Sequence, residues 1–237
     1  MKLLAFETSA KAVSVALAED GRLVGEYYQN SGQTHSRTLM KLAEDLLDNC
    51  DCKVDEIDAV AYANGPGSFT GVRIGVAAAK GFCWGLDIPC LPVSTLEGMA
   101  WSHLDANGIV CCCMDARREQ VYNALFRVSG GTVTRLREDR AISLSELSDD
   151  LQGLGEPILL VGDGALLTWN TLHDRAPGLV LSAEALRQQR ASGVALAGFS
   201  LAQTGKAVSA AIPAPNYLRL SQAERERLSR EITAKGE

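Results

Sequence analysis

Three consecutive segments open the chain: Lys2-Leu3-Leu4-Ala5-Phe6-Glu7-Thr8, Ala12-Val13-Ser14-Val15-Ala16-Leu17-Ala18-Glu19 and Arg22-Leu23-Val24-Gly25-Glu26-Tyr27-Tyr28-Gln29. Each is short and β-rich, and Asp20-Gly21 between the second and third is a favoured two-residue hairpin turn, so the three predict a strand meander. The apolar spacing then becomes helical from about Ser36 to Cys50, and is followed by a strand at 57–63, a helix over about 68–86 and a Pro-flanked strand at 89–93. A third helix opens at Ser94-Thr95-Leu96-Glu97, which carries the capping-box pattern.

The second half repeats the order. Strands near 109–114, 119–128 and 131–139 precede a helix opened by Ser143-Leu144-Ser145-Glu146, a strand at 157–161 and further helix to about Thr204. A strand-strand-strand-helix-strand-helix unit given twice resembles the two-lobed, ribonuclease H-like α/β fold of the actin, sugar-kinase and heat-shock ATPase superfamily. The expected division is an N-terminal lobe over 1–106, a C-terminal lobe over 107–215, and a charged tail over 216–237 that is solvated from Arg219 onward.

A chain of 237 residues, 46% of them hydrophobic, suffices for two compact lobes. Its net charge of −6 is dispersed rather than gathered into a basic block, which argues against gripping RNA unaided. Seven cysteines, at 50, 52, 83, 90 and 111–113, include no C-x-x-C pair for zinc, and three adjacent ones do not build a regular disulfide framework. They read as small buried hydrophobes in a reducing compartment. The start of the chain reaches Glu7 before a signal-like apolar run develops, and no run of about 18 uncharged apolar residues follows; the expectation is a cytoplasmic protein without a membrane span.

The most distinctive stretch is Ala63-Asn64-Gly65-Pro66-Gly67-Ser68-Phe69-Thr70-Gly71-Val72-Arg73-Ile74-Gly75, a Gly-rich turn between strand and helix. Such a turn aims backbone N–H groups and the helix dipole at an anion, or else is a tight turn with Ser68 or Thr70 capping the helix. No Gly-Lys-Ser or Gly-Lys-Thr closes it, so it is not a Walker A loop.

Together with Pro92-Val93-Ser94-Thr95-Leu96, Met114-Asp115-Ala116-Arg117 and Pro215-Asn216-Tyr217-Leu218-Arg219, this stretch resembles the TsaB family in order and spacing, over nearly the whole chain. The resemblance implies a non-catalytic subunit required for threonylcarbamoylation of adenosine in the anticodon loop of tRNAs reading ANN codons. It implies three partners: a catalytic paralogue of the TsaD type, an ATPase of the TsaE type, and tRNA met only through their complex. No cofactor is implied for this subunit.

The catalytic sister proteins carry His-x-x-x-His for a metal, and the shared Leu/Met-Glu-Gly places those two positions on Thr95 and Met99 here. A neutral hydroxyl and a thioether are a poor ligand pair, so no metal is expected. His35, His103 and His173 lie far apart and read as surface or packing residues. The superfamily's kinases present Gly-rich phosphate loops at the first hairpin of each lobe, whereas Glu7-Thr8-Ser9-Ala10-Lys11 and Asp115-Ala116-Arg117-Arg118-Glu119 contain no glycine. Glu7 and Asp115 stand as Mg²⁺ ligands or as ordinary strand-end carboxylates, and Gly162-Asp163-Gly164 as the remnant of an adenosine-contacting turn or an Asp-capped one. The rival to the accessory subunit is a divergent actin-like enzyme, either a small-molecule kinase or a metalloprotease-like hydrolase.

The helix over 36–50 carries a broad apolar stripe that includes Leu39, Met40, Leu46 and Leu47, and core packing or a partner accounts for it equally. Within the helix over 68–86, every residue from Val72 to Leu86 except Arg73 and Lys80 is apolar or glycine, so it needs cover on more than one side. With Val72, Val76, Ala79 and Cys83 on the sheet, the face of Gly75, Ala78, Gly81 and Gly85 with Ile74 and Phe82 is left for the first helix, a partner or both. The family resemblance selects the same two helices as the dimerisation surface, and the same patch predicts a homodimer when the partner is absent.

Overall fold

The computed structural model describes residues 1–176, 178–209, 211 and 214–219. The first sheet is formed by β1 (Lys2–Glu7), β2 (Val13–Glu19), β3 (Arg22–Gln29), β4 (Ala59–Ala63) and β5 (Cys90–Val93), in the order β3-β2-β1-β4-β5. The second is formed by β6 (Gly108–Asp115), β7 (Gln120–Ser129), β8 (Thr132–Ser143), β9 (Ile158–Val161) and β10 (Leu179–Leu181), in the order β10-β9-β6-β7-β8. Each sheet has three antiparallel strands continued by two parallel ones, which is the duplicated actin-like unit. The three-residue β10 is an addition to the expected order; Leu179-Val180-Leu181 is too short to show an alternation in sequence.

Strand alternation sends β1 and β2 residues to two different cores. On one face Leu4, Phe6, Val13, Val15 and Leu17 meet α1 (His35–Asn49) through Leu39, Ala43, Leu46 and Leu47, and α2 (Phe69–Leu86) through Val72, Val76, Ala79 and Cys83. On the other face Leu3, Ala5, Ala16, Ala18, Ala59 and Ala61 form an alanine-rich floor for α7 (Ala191–Gln203). The second sheet is covered by α4 (Leu144–Gln152) and α5 (Ala165–Leu172) on one face and by α3 (Thr95–Trp101) on the other. A four-residue α6 (Glu184–Arg187) leads into α7.

A division at residue 106 therefore follows the two sheets but not their helices. α3, from the first half of the chain, lies on the second sheet, and α7, from the second half, lies on the first. They cross at two glycines: a Cβ on Gly193 would lie 2.0 Å from the Gly98 carbonyl oxygen. Ser14 and Glu26 of the first lobe accept the N–H groups of Ala191 and Ser192, satisfying orphan donors at the start of α7.

Both expected N-caps form, one of them in half. Ser143 and Glu146 make the complete capping box of α4. At α3 the Ser94 hydroxyl accepts the Glu97 N–H, but the Glu97 carboxylate pairs at 2.8 Å with Arg135 of β8 instead of returning to Ser94. All seven cysteines are free, and 111–113 are fully buried in the central strand β6. No helix among the described residues is long and apolar enough to cross a membrane.

Candidate functional site

The outer surface of α1 and α2 separates the eight expected interface residues into two sets. Leu39, Leu46 and Leu47 are at most 3% exposed, because α1 spends them on the first sheet. Gly75 is buried as well: a Cβ there would sit 2.4 Å from the Thr8 hydroxyl, and Gly71 likewise faces the Thr8 carbonyl at 2.1 Å. These two glycines let α2 press onto the end of β1, where the Thr8 hydroxyl donates to the Gly71 carbonyl at 2.8 Å. Both are internal contacts, which for Gly75 corrects its expected place on the interface.

Met40 remains 44% exposed, and Ile74, Ala78 and Phe82 are half-buried, with the Phe82 ring edge-on to Phe6 at 5.8 Å. The free arc of α2 is rotated toward Arg73, Ala77, Gly81 and Trp84, and Trp84 is 72% exposed. Gly81 and Gly85 have nothing within 4 Å of a built Cβ. Sequence reasoning passed over Trp84, although it falls eleven positions after Arg73 and so on the same side of the helix. Beside this arc a groove of about 770 Å³ runs past Met40, Leu47, Cys52, Val54 and Phe82, rimmed by Lys41, Glu44, Asp48, Asp51 and Lys53.

A second concavity of about 540 Å³ lies between the lobes, at the ends of β1 and β6. The Gly-Pro-Gly turn forms one wall, and its glycines accommodate carbonyl groups. A Cβ on Gly67 would be 2.5 Å from the Ser9 oxygen, which already accepts the Ser68 N–H at 2.7 Å. Ser68 is the N-cap of α2, accepting the Gly71 N–H, whereas Thr70 lies inside the helix.

Glu7 is 1% exposed and accepts the Ser9 N–H at 2.6 Å; burial pushes its carboxyl up to about 7, against the help of that hydrogen bond. Asp163 is likewise pushed up by burial and accepts from the Gln189 amide at 2.9 Å. Asp115 is exposed and accepts the Arg117 N–H at 2.7 Å. Among the described residues no three His, Cys, Asp or Glu side chains gather in a metal-holding group.

Thr95 and Met99 lie in the core beneath α3, at 1% and 2% exposure, and Met99 packs with Val110, Met114 and Phe126. The three histidines are dispersed: His35 bonds the Ala10 carbonyl, His103 the Met99 carbonyl, and His173 the Trp169 carbonyl. The segment 216–219, expected as tail, instead lines the interlobe cleft, because its backbone and side chains find partners on both lobes. Residues 220–237 of that expected tail lie outside the described residues.

Comparison with known proteins places this geometry. The family model described as TsaD, tRNA N6-adenosine threonylcarbamoyltransferase, matches residues 29–226. A protein of Bacillus subtilis named tRNA threonylcarbamoyladenosine biosynthesis protein TsaB is 32% identical over 226 residues, covering 94% of this chain and 96% of its own. A Pseudomonas aeruginosa crystal structure described as similar to peptidase YeaZ superposes with a TM-score of 0.78 at 29% identity, covering 92% of this chain and 99% of that one. At the level of fold alone, component A of the Acidaminococcus fermentans (R)-2-hydroxyglutaryl-CoA dehydratase superposes at 0.51 with 12% identity, over 86% of this chain and 99% of its own. Two lobes of actin-like topology, the Asn64–Gly75 turn and near-complete coverage by a relative at 32% identity have one common meaning: the chain belongs to the TsaB family.

Proposed function

We propose that this protein is a non-catalytic, cytoplasmic subunit of the machinery that adds threonylcarbamoyl to adenosine in the anticodon loop of tRNAs reading ANN codons. It binds a TsaD-like catalytic subunit through the outer arc of α2 and the adjoining edge of α1. A TsaE-like ATPase joins the assembly, and tRNA is met through the complex. When alone, the chain pairs with a second copy through the same surface. One observation carries this reading: an apolar arc of an otherwise well-packed helix, ending in a 72% exposed Trp84.

The arc suits a helix from outside because its middle is small. Ala77, Gly81 and Gly85 allow backbones to approach, and the larger Ile74, Phe82 and Trp84 flank them. A paralogue with the same fold offers an equivalent helix pair, so the contact is pseudo-symmetric.

The rival enzyme reading draws on Glu7, whose raised carboxyl has the protonation range of a general acid or base. ATP·Mg²⁺ turnover by the isolated chain selects that rival. For the subunit reading, Ala78→Glu combined with Trp84→Glu is expected to weaken binding of the catalytic subunit by about a hundredfold or more, since each charge is desolvated in the contact. tRNA modification falls with it, while circular dichroism shows the isolated chain still folded, now as a monomer. Assembly that survives both substitutions sinks the reading.

A further inference from the structure

The docked segment 214–219 crosses from one lobe to the other. The Asn216 N–H donates to the Asn64 carbonyl at 2.7 Å, and Gly65 has φ +111° with room for no side chain, because a Cβ would be 2.5 Å from the Asn216 oxygen. The Tyr217 ring stacks on Phe69 at 4.7 Å and 25°, and its hydroxyl accepts from the Arg73 guanidinium at 2.7 Å. Arg73 in turn lies 3.8 Å over the Phe69 ring. At the other end Arg219 donates to the Ala116 carbonyl at 2.8 Å, in the turn between β6 and β7. That turn holds Arg117, Arg118 and Glu119 at φ of 63°, 56° and 57°, a left-handed run that L residues resist unless it is anchored.

Phe69, Arg73, Ala77 and Trp84 recur on one side of α2 over about 22 Å of helix, at 1.5 Å per residue. Tyr217 is 40% exposed and attached to the first two of them. It therefore extends the exposed arc of α2 at the end opposite Trp84.

We propose that residues 214–219 form a clasp that completes the partner surface, with Tyr217 positioning Phe69 and Arg73 against the catalytic homologue and Arg219 tying that corner to the second lobe. This inference rests on the α2 docking surface proposed above. It adds an aromatic anchor from the far end of the chain to a helical contact, and it couples the interlobe cleft to the interface, because the same four residues, Asn216 to Arg219, line the cleft.

The test measures affinity for the catalytic homologue in the full-length chain carrying Tyr217→Ala, Tyr217→Phe, Arg73→Ala or the Tyr217→Ala/Arg73→Ala pair. Tyr217→Ala is expected to weaken binding about tenfold, and Tyr217→Phe, which keeps the stack, less than threefold. The pair should weaken binding no more than the larger single change, because the two side chains act as one unit. In the isolated chain, Tyr217→Ala should also speed amide exchange in 64–70 and 116–120. Wild-type affinity for Tyr217→Ala, or full additivity with Arg73→Ala, overturns the proposal. Should Tyr217→Ala prove unfolded, Arg219→Ala carries the same exchange test, and unchanged exchange there overturns the clasp. If Tyr217→Ala binds normally while Ala78→Glu/Trp84→Glu abolishes binding, the clasp fails and the subunit reading stands; if neither change matters, the subunit reading fails.

Discussion

The two lobes have the same strand order but different outer helices. On the first sheet α1 and α2 run 15 and 18 residues; their counterparts on the second sheet, α4 and α5, run 9 and 8. α4 is an ordinary amphipathic cover: Leu144, Leu147 and Leu151 point inward, and its N-terminus is closed by its own capping box. α2 buries Val72, Val76, Ala79 and Cys83 in the same manner, yet continues to Trp84 and presents a second apolar side to the exterior. The second lobe closes its sheet with the shorter version, so the excess apolar surface on the first lobe is the surface proposed above to meet a partner.

The contrast is open to attack at several points. The largest effect is expected where both lobes use glycine internally. Gly71→Ala and Gly162→Ala each place a Cβ 2.1 Å from a backbone oxygen, of Thr8 and Cys113 respectively, and each should cost more than about 3 kcal/mol in urea unfolding. Tolerance of either would show that the close approach at that strand end is not required.

Next comes the buried carboxyl of the first lobe. Because the Glu7 pKa is raised in the folded state, from its ordinary 4.5 to about 7, its contribution to stability is present below pH 4.5 and is lost as pH rises to 7. The stability of Glu7→Gln relative to the parent should therefore improve by about 3 kcal/mol between pH 4.5 and pH 8, from 1.36 kcal/mol per pKa unit. A difference that does not change with pH would contradict the assigned burial.

Smaller effects test the outer helices themselves. Ser143→Ala removes the cap of α4 and should cost about 1 kcal/mol. Gly81→Ala, on the open side of α2, should stabilise the isolated chain by up to about 1 kcal/mol through helix propensity while weakening the complex, since the added methyl intrudes where a partner backbone approaches. A gain in stability with unchanged binding would move the contact away from Gly81.

Much of this molecule is legible one segment at a time. The strand meander, the helix over 68–86 and the capping sequence at Ser143 depend on periods of two or 3.6 residues and on side chains three positions apart, so local order alone reveals them. The apolar excess of α2 was equally visible, but not its direction. The pattern leaves the face of Gly75 and Phe82 to the first helix, a partner or both; Thr8, just past β1, takes up Gly75 and Phe6 takes up the Phe82 ring, which leaves Arg73 and Trp84 facing out.

Sequence by itself determined the duplicated order of elements, the presence of Thr95 and Met99 where the family resemblance sets the sister proteins' His-x-x-x-His pair, and the surplus of apolar surface on one helix. Tertiary structure alone decided that α3 and α7 exchange sheets, that the Gly-Pro-Gly turn receives the carbonyl groups of Ser9 and Asn216, and that Tyr217 closes on Arg73. The reason is range: periodicity reports which face of a segment is apolar, whereas the surface that meets that face is supplied by residues about sixty to one hundred and fifty positions away, whose placement no local pattern encodes.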